Sequence, residues 1–196
     1  MNEIEDTIQF LNKIQNLKED TIKTLSEKLF IKKCKKKERI LNFNFTAMTV
    51  YFVVKGIGIT FVEGKNSEKI VSRFASEKSL FLAPISFYSQ KNSLEAMELI
   101  EDSTLVGLTF EDLQYILNNH IEFNIVARKL VEHYFLLTES RAFWLRKHNL
   151  EEKWKWFEEN YKDVLKRGVP QEYIATFIGV DRLTLNRFLN HNHSVK

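Results

Sequence analysis

Val169-Pro-Gln-Glu-Tyr-Ile-Ala-Thr-Phe-Ile-Gly-Val-Asp-Arg-Leu-Thr-Leu-Asn-Arg-Phe-Leu189 decides how the rest of this chain is read. Two short helical patterns meet at Gly179. Ile174, Ala175 and Ile178 form the first, and Leu185, Phe188 and Leu189 the second, both on a 3,4 spacing. A glycine between them takes the left-handed conformation that a tight turn between helices needs. Asp181 is placed to cap the second helix, and Ala175 is small where two helices come close. The pattern is a helix-turn-helix, in which the second helix lies in the DNA major groove. A helix, a glycine and a helix also occur as plain packing. Arg182 and Arg187 favour the DNA reading, one directed to base edges and the other to phosphate, on a face left open by Leu185 and Leu189.

Working outward, Asn149-Leu-Glu-Glu-Lys153 starts a helix with acids in its first turn. Trp154, Phe157 and Tyr161 continue its apolar face, and the pattern closes at Arg167-Gly168. Before it, from about Ile121 to Lys147, runs a long helical pattern without glycine or proline. Ala127, Leu130, Tyr134, Leu137, Arg141, Trp144 and His148 follow its 3,4 spacing, and Val126, Val131 and Phe135 widen the stripe. So long and broad a stripe fits an intersubunit helix and hence a homodimer. Arg141 departs from it, so the seam either frays there or pairs with an acid such as Glu139. Packing on its own domain is the alternative.

Residues 40–108 change to strands. Val50-Tyr-Phe-Val-Val54, a glycine-marked turn and Ile59-Thr-Phe-Val62 come first. A hairpin turn at 63–67 leads to Lys69-Ile-Val-Ser-Arg-Phe74. Leu94–Ile100 and Thr104–Leu108 are the last strands. Short strands at this spacing describe a small barrel or sandwich. Thr109 with Glu111 and Asp112 opens a helix. Residues 3–29 carry two short helical patterns, and the lysines of 31–39 read as a solvated strand and turn.

Composition narrows the function. The net charge is only +3, and residues 149–196 carry eight Lys or Arg against seven Asp or Glu, so a nucleic-acid footprint must be local. Cys34 is the sole cysteine, which excludes an internal disulfide and a cysteine-ligated cluster. No cofactor or metal is expected, since His191 and His193 in the tail lack a third ligand. No acid pair or nucleophile–base arrangement marks an enzyme. The absence of a signal-peptide pattern and of an 18-residue apolar run predicts a cytoplasmic protein without membrane contact.

The order of these parts resembles the family of the cyclic-AMP receptor protein and the fumarate–nitrate-reductase regulator. The likeness is closest to its compact Bacteroidetes-type members, through Val169-Pro-Gln-Glu-Tyr-Ile-Ala175 and Gly179-Val-Asp-Arg-Leu-Thr-Leu-Asn-Arg187. Tyr51-Phe-Val-Val-Lys-Gly56 is similar to a strand-turn signature of the family's sensor domain. The resemblance implies an α+β chain of three parts. Residues 1–120 would be a cyclic-nucleotide-binding-like antiparallel β-barrel of jelly-roll type. Residues 121–148 would be a long dimerisation helix, and 149–196 a helix-turn-helix, winged-helix-like domain. It places Arg182 at a guanine edge, Leu183 where many members carry a glutamate, and Arg187 at a second arginine contact. Asn186 replaces a more usual serine or glycine, and Gln171 is directed to phosphate. Asp181 and Thr184 complete the candidate DNA-binding set.

The sensor cassette departs from the family. Cyclic-nucleotide binders carry Phe-Gly-Glu followed by an arginine that neutralises the cyclic phosphate. Here the matching segment begins Phe81-Leu-Ala-Pro84, and no arginine lies between Arg73 and Arg128. Lys91 offers a charge but not a guanidinium fork, so cyclic-AMP control is not expected. If a pocket for an unknown small-molecule effector survives, Phe81, Phe87, Tyr88, Lys91 and Ser93 are its candidate rim. The expected function is a homodimeric transcriptional regulator binding near-palindromic double-stranded DNA through residues 181–189. The alternative is an effector-binding or protein-interaction module with a degenerate sensor and no sequence-specific DNA binding.

Overall fold

The computed structural model describes residues 2–147 and 149–193. His148 and the tail after 193 lie outside the described residues. Two helices come first, α1 Glu3–Ile14 and α2 Glu19–Lys28, then β1 Phe30–Cys34, β2 Arg39–Leu41, β3 Thr49–Lys55, β4 Gly58–Glu63, β5 Lys69–Ala75 and β6 Leu80–Phe81. A short helix α3, Pro84–Ser89, precedes β7 Ala96–Leu99 and β8 Ser103–Thr109. The remainder is helical: α4 Phe110–Asn119, α5 Phe123–Arg146, α6 Leu150–Asn160, α7 Lys162–Lys166, α8 Gln171–Ile178 and α9 Arg182–His193.

The strands form two four-stranded antiparallel sheets, ordered β1-β8-β3-β6 and β2-β7-β4-β5. Neither closes on itself, so the expected jelly-roll barrel is not what forms. Closure needs the last strand to bond to the first, and here each sheet keeps two edges. The reason lies in the links. The turn at Gly56 carries the chain from β3 in one sheet to β4 in the other, and residues 100–102 do the same between β7 and β8. A strand-turn-strand pattern looks the same whether its strands pair or change sheets. The expected winged-helix character also fails among the described residues, because no strand follows β8.

Period-two alternation sorts the side chains between layers. Val53, Leu99, Leu105, Phe81 and Met97 belong to the core between the sheets. Phe52, Val106 and Leu108 point the other way, into a core shared with α1, α2, α4 and the start of α5. On the second sheet Ile59, Phe61, Val71 and Ala96 join Trp156, Phe157, Ile174, Phe177 and Leu185 in a third core. The helix-turn-helix thus has no separate core; it is built on the outer face of a sheet. Helix starts follow ordinary capping. The Thr109 hydroxyl accepts from Asp112 N–H at 3.1 Å, and Asn149 Oδ1 accepts from Glu151 N–H at 2.9 Å.

Strand β5 is a sheet edge, and the backbone groups at its first half, Lys69 and Val71, are covered. Thr176 Oγ1 of α8 donates to Lys69 O at 3.1 Å and accepts from Val71 N–H at 3.2 Å. Arg141 Nη2 of α5 donates to Val71 O at 3.2 Å. The edge that would otherwise pair with another chain is occupied by the long helix and the first helix of the helix-turn-helix.

Candidate nucleic-acid interface

Helix α8 ends at Gly179, which is left-handed at φ 71° and ψ 43°. Val180 N–H reaches back to Ala175 O at 3.0 Å and Gly179 N–H to Thr176 O at 3.2 Å, closing the helix. A Cβ on Gly179 would lie 2.8 Å from a Leu145 methyl, which can shift, but the left-handed backbone cannot be relieved in that way. Gly179→Ala should therefore destabilise the protein by about 1–2 kcal/mol; a urea midpoint unchanged from the wild type would refute this.

Helix α9 begins with Asp181 and Thr184 bonded to each other. Thr184 N–H donates to Asp181 Oδ1 at 2.8 Å and the Thr184 hydroxyl to Oδ2 at 2.5 Å. These bonds hold the Asp181 carboxyl below the usual carboxylate range. Both side chains are thus engaged in starting the helix. Leu185 is fully buried and, with Phe188 and Leu189, anchors α9 to the core behind it. Positions 182, 183, 186 and 187 fall on the opposite arc by helical spacing, and all four residues are exposed there. Leu183 is 65% exposed, a large apolar side chain on an otherwise polar arc. Neither Arg182 nor Arg187 forms an ion pair among the described residues. Gln171 is exposed in the first turn of α8, where backbone N–H groups have no intrahelical acceptor. The structure therefore brings Arg182, Leu183, Asn186 and Arg187 together.

The candidate effector rim does not come together. Phe81 and Phe87 are buried in the core between the sheets. Ser86 Oγ accepts from Ala47 N–H at 2.9 Å and donates to Lys91 O at 2.5 Å, tying α3 to the neighbouring loop. Lys91 and Tyr88 are exposed, and Ser93 is bonded to Glu95 within a turn. The cavity nearest to them, about 80 Å³ and almost wholly apolar, is lined by Phe87 and Tyr88 but not by Phe81, Lys91 or Ser93.

The face of α5 that carries the predicted interface residues is turned toward the chain itself. Ala127, Leu130, Tyr134, Leu137, Arg141 and Trp144 are each partly buried within this one subunit. The Tyr134 hydroxyl accepts from Leu80 N–H. Among the described residues Arg141 is paired with neither Glu139 nor another acid; its Nε donates to Phe177 O at 3.1 Å. The solvent side bears Val131 and Phe135, which widen the predicted stripe, together with Leu136 and Phe143; they are 49%, 61%, 67% and 52% exposed.

Solved structures superpose on this arrangement of two sheets, a long helix and a helix-turn-helix. A transcriptional regulator assigned to the crp/fnr family from Eubacterium rectale does so with a TM-score of 0.69 at 18% identity, over 91% of this chain and 85% of its own. FixK2 from Bradyrhizobium japonicum gives 0.69 at 18% identity, over 85% of each chain. The c-di-GMP responsive global regulator CLP from Xanthomonas campestris gives 0.67 at 13%, over 90% of this chain and 92% of its own. At these identities the likeness is one of fold. No family model matches the sequence, and no curated protein matches it. Among the described residues no group of His, Cys, Asp and Glu could hold a metal ion, and no helix is long and apolar enough to cross a membrane.

Proposed function

We propose that the protein is a DNA-binding transcriptional regulator that acts as a homodimer and reads a near-palindromic site through α9. It would be a compact member of the crp/fnr group, as the motif in 169–187 suggests. The observation that carries this reading is the exposed arc of α9, with Leu183, Asn186 and two arginines that form no ion pair among the described residues in front and Leu185 anchored behind. Arg182 is assigned to a base edge, Arg187 to a second arginine contact with the DNA, Gln171 to phosphate, and Asp181 with Thr184 to setting the start of the reading helix. Leu183 cannot accept from a cytosine amino group, so the site should differ from that of glutamate-bearing relatives. The three-part division, sensor 1–120, long helix 121–148 and reader 149–196, belongs to this proposal, as does a cytoplasmic location.

Control by cyclic AMP is not part of it. The cassette helix α3 is held by Ser86 and Phe87, and the segment lacks an arginine to meet a cyclic phosphate. Selection of bound sequences from random duplex DNA, with and without cyclic AMP, tests the reading. A two-fold symmetric site, unchanged by the nucleotide, is the expected result. Arg182→Ala should then reduce discrimination against a changed base by about 1–3 kcal/mol while leaving much of the non-specific affinity. Selection that returns no shared sequence would favour a module that binds an effector or a protein partner instead.

A further inference from the structure

A cavity of about 290 Å³ lies where β5, the turn at 76–79, α5 and the α6–α7 corner meet; Arg73, Ser79, Tyr134, Arg141, Asn160 and Tyr161 are among its lining residues. It is separate from the α3 cassette. From α5, Tyr134, Leu137 and Arg141 of its inward face line the wall, and exposed His133 and Thr138 stand at the rim; Phe135 and Leu136 are not part of the lining.

Its charge is unbalanced. Arg141 donates Nε and Nη2 to the carbonyls of Phe177 and Val71. It stacks on the Phe177 ring at 4.5 Å, yet has no ion pair among the described residues. Burial lowers its affinity for the proton. The Nη1 atom of Arg73 is buried without a hydrogen-bond acceptor. Its nearest acid, Glu95 Oε2, stands at 3.5 Å, and the other Glu95 oxygen already accepts from Ser72 Oγ at 2.6 Å. Of the acids on the wall, Glu77 is held by Arg167 at 2.6 Å and by Gly56 N–H at 2.8 Å, and Asp163 is exposed. The Tyr161 hydroxyl has no hydrogen-bond partner among the described residues, and burial pushes its phenol up to about 12, so it stays a donor at neutral pH.

Two guanidiniums line a partly buried cavity, and the one carboxylate paired with either of them among the described residues, Glu95, stands 3.5 Å from Arg73 alone, which leaves positive charge to be met by a counter-ion. The planar fork of an arginine selects an oxyanion with two oxygens to offer. Phe74 and Tyr161 add ring surface to the wall. We propose that this cavity binds a small organic anion, bearing phosphate or carboxylate, held between Arg73 of the two-sheet domain and Arg141 of the long helix. Such a ligand would link β5, α5 and the corner before α8, the elements that set where α9 sits.

The site does not depend on the DNA-binding reading, and its test uses no DNA. The full chain is titrated at constant ionic strength, with chloride replaced by inorganic phosphate in one arm and by succinate in the other. Thermal unfolding and calorimetry are followed. The expected result is saturable binding and a raised Tm in at least one arm, which also assigns the anion class. Affinity should fall at least tenfold in Arg73→Gln and be partly restored in Arg73→Lys, which keeps the charge but loses the fork. Tyr161→Phe should weaken binding severalfold. If Arg73→Gln does not fold, Arg141→Lys serves for the same comparison. Absence of saturable binding in both arms, or binding untouched by every one of these substitutions, overturns the proposal.

Discussion

Phe177→Ala is expected to lower the unfolding free energy by about 3–5 kcal/mol, the usual range for a large aromatic deleted from a packed core. Phe177 is 1% exposed and is the ring on which the others converge. Phe74 and Tyr161 lie at 5.0 Å, Phe157 at 5.8 Å and the stacked Trp156 at 6.1 Å. Arg141 covers its face. Phe74 comes from β5 and Phe177 from α8, while the other three come from α6 and the residue that follows it. The loss should therefore be felt by the two-sheet domain and by the helix-turn-helix together. Neighbouring rings cannot collapse into the gap easily, since each is fixed by its own edge or stacking contact. Urea unfolding followed by tryptophan fluorescence and by far-UV circular dichroism would test this. Leu94→Ala, which trims a side chain 81% exposed and outside α5, should cost well under 1 kcal/mol. A cost for Phe177→Ala as small as that of Leu94→Ala would mean that the third core does not hold the two parts together.

That cluster also shows where the sequence stopped being informative. The helix-turn-helix could be read directly because its signals are local: a 3,4 spacing, a glycine with the required left-handed backbone, and a capping aspartate three residues before the threonine it bonds. The strand pattern was local too, and most of it appears where expected. Pairing was not, because turns at 56 and 100–102 look like hairpins but carry the chain between sheets. Helix α3 was hidden behind a stretch with no periodicity long enough to count. The break at Tyr161 between α6 and α7 had neither glycine nor proline to announce it. The ring set spans Phe74 to Phe177, and no window of sequence contains both. Arg141 is the clearest case. Its place on an apolar stripe was visible, but its partners are carbonyls of Val71 and Phe177, and a carbonyl carries no residue signature.

A double substitution, Phe135→Asp with Leu136→Asp, is expected to convert a dimer of this protein to monomer at micromolar concentration. Both residues are more than half exposed within one subunit, so the fold itself should be little affected. In the proposed dimer they would meet a second copy of α5, where a carboxylate without a partner must lose its water. A penalty of about 3 kcal/mol or more would weaken association over a hundredfold. The choice of face follows from what α5 already does. Across its 24 residues, the side bearing Leu130, Tyr134, Leu137, Arg141 and Trp144 is partly covered by the same chain. Val131, Phe135, Leu136 and Phe143 are left over, flanked by the Arg128–Glu132 ion pair at 2.5 Å. Four large apolar side chains on one helical face are more than scattered surface residues explain. Periodicity put inward Leu130 and Tyr134 and outward Val131 and Phe135 on one broad stripe, because a helix packed on its own domain and a helix packed on a partner have the same spacing. Sedimentation velocity on the wild type, the double variant and Tyr134→Phe separates the two faces. Tyr134→Phe, on the inward side, should leave association unchanged and instead cost stability through the lost bond to Leu80. A wild type that remains monomeric at tens of micromolar would remove the dimer, and with it the symmetric DNA site. Dissociation by Tyr134→Phe alone would return the interface to the inward face.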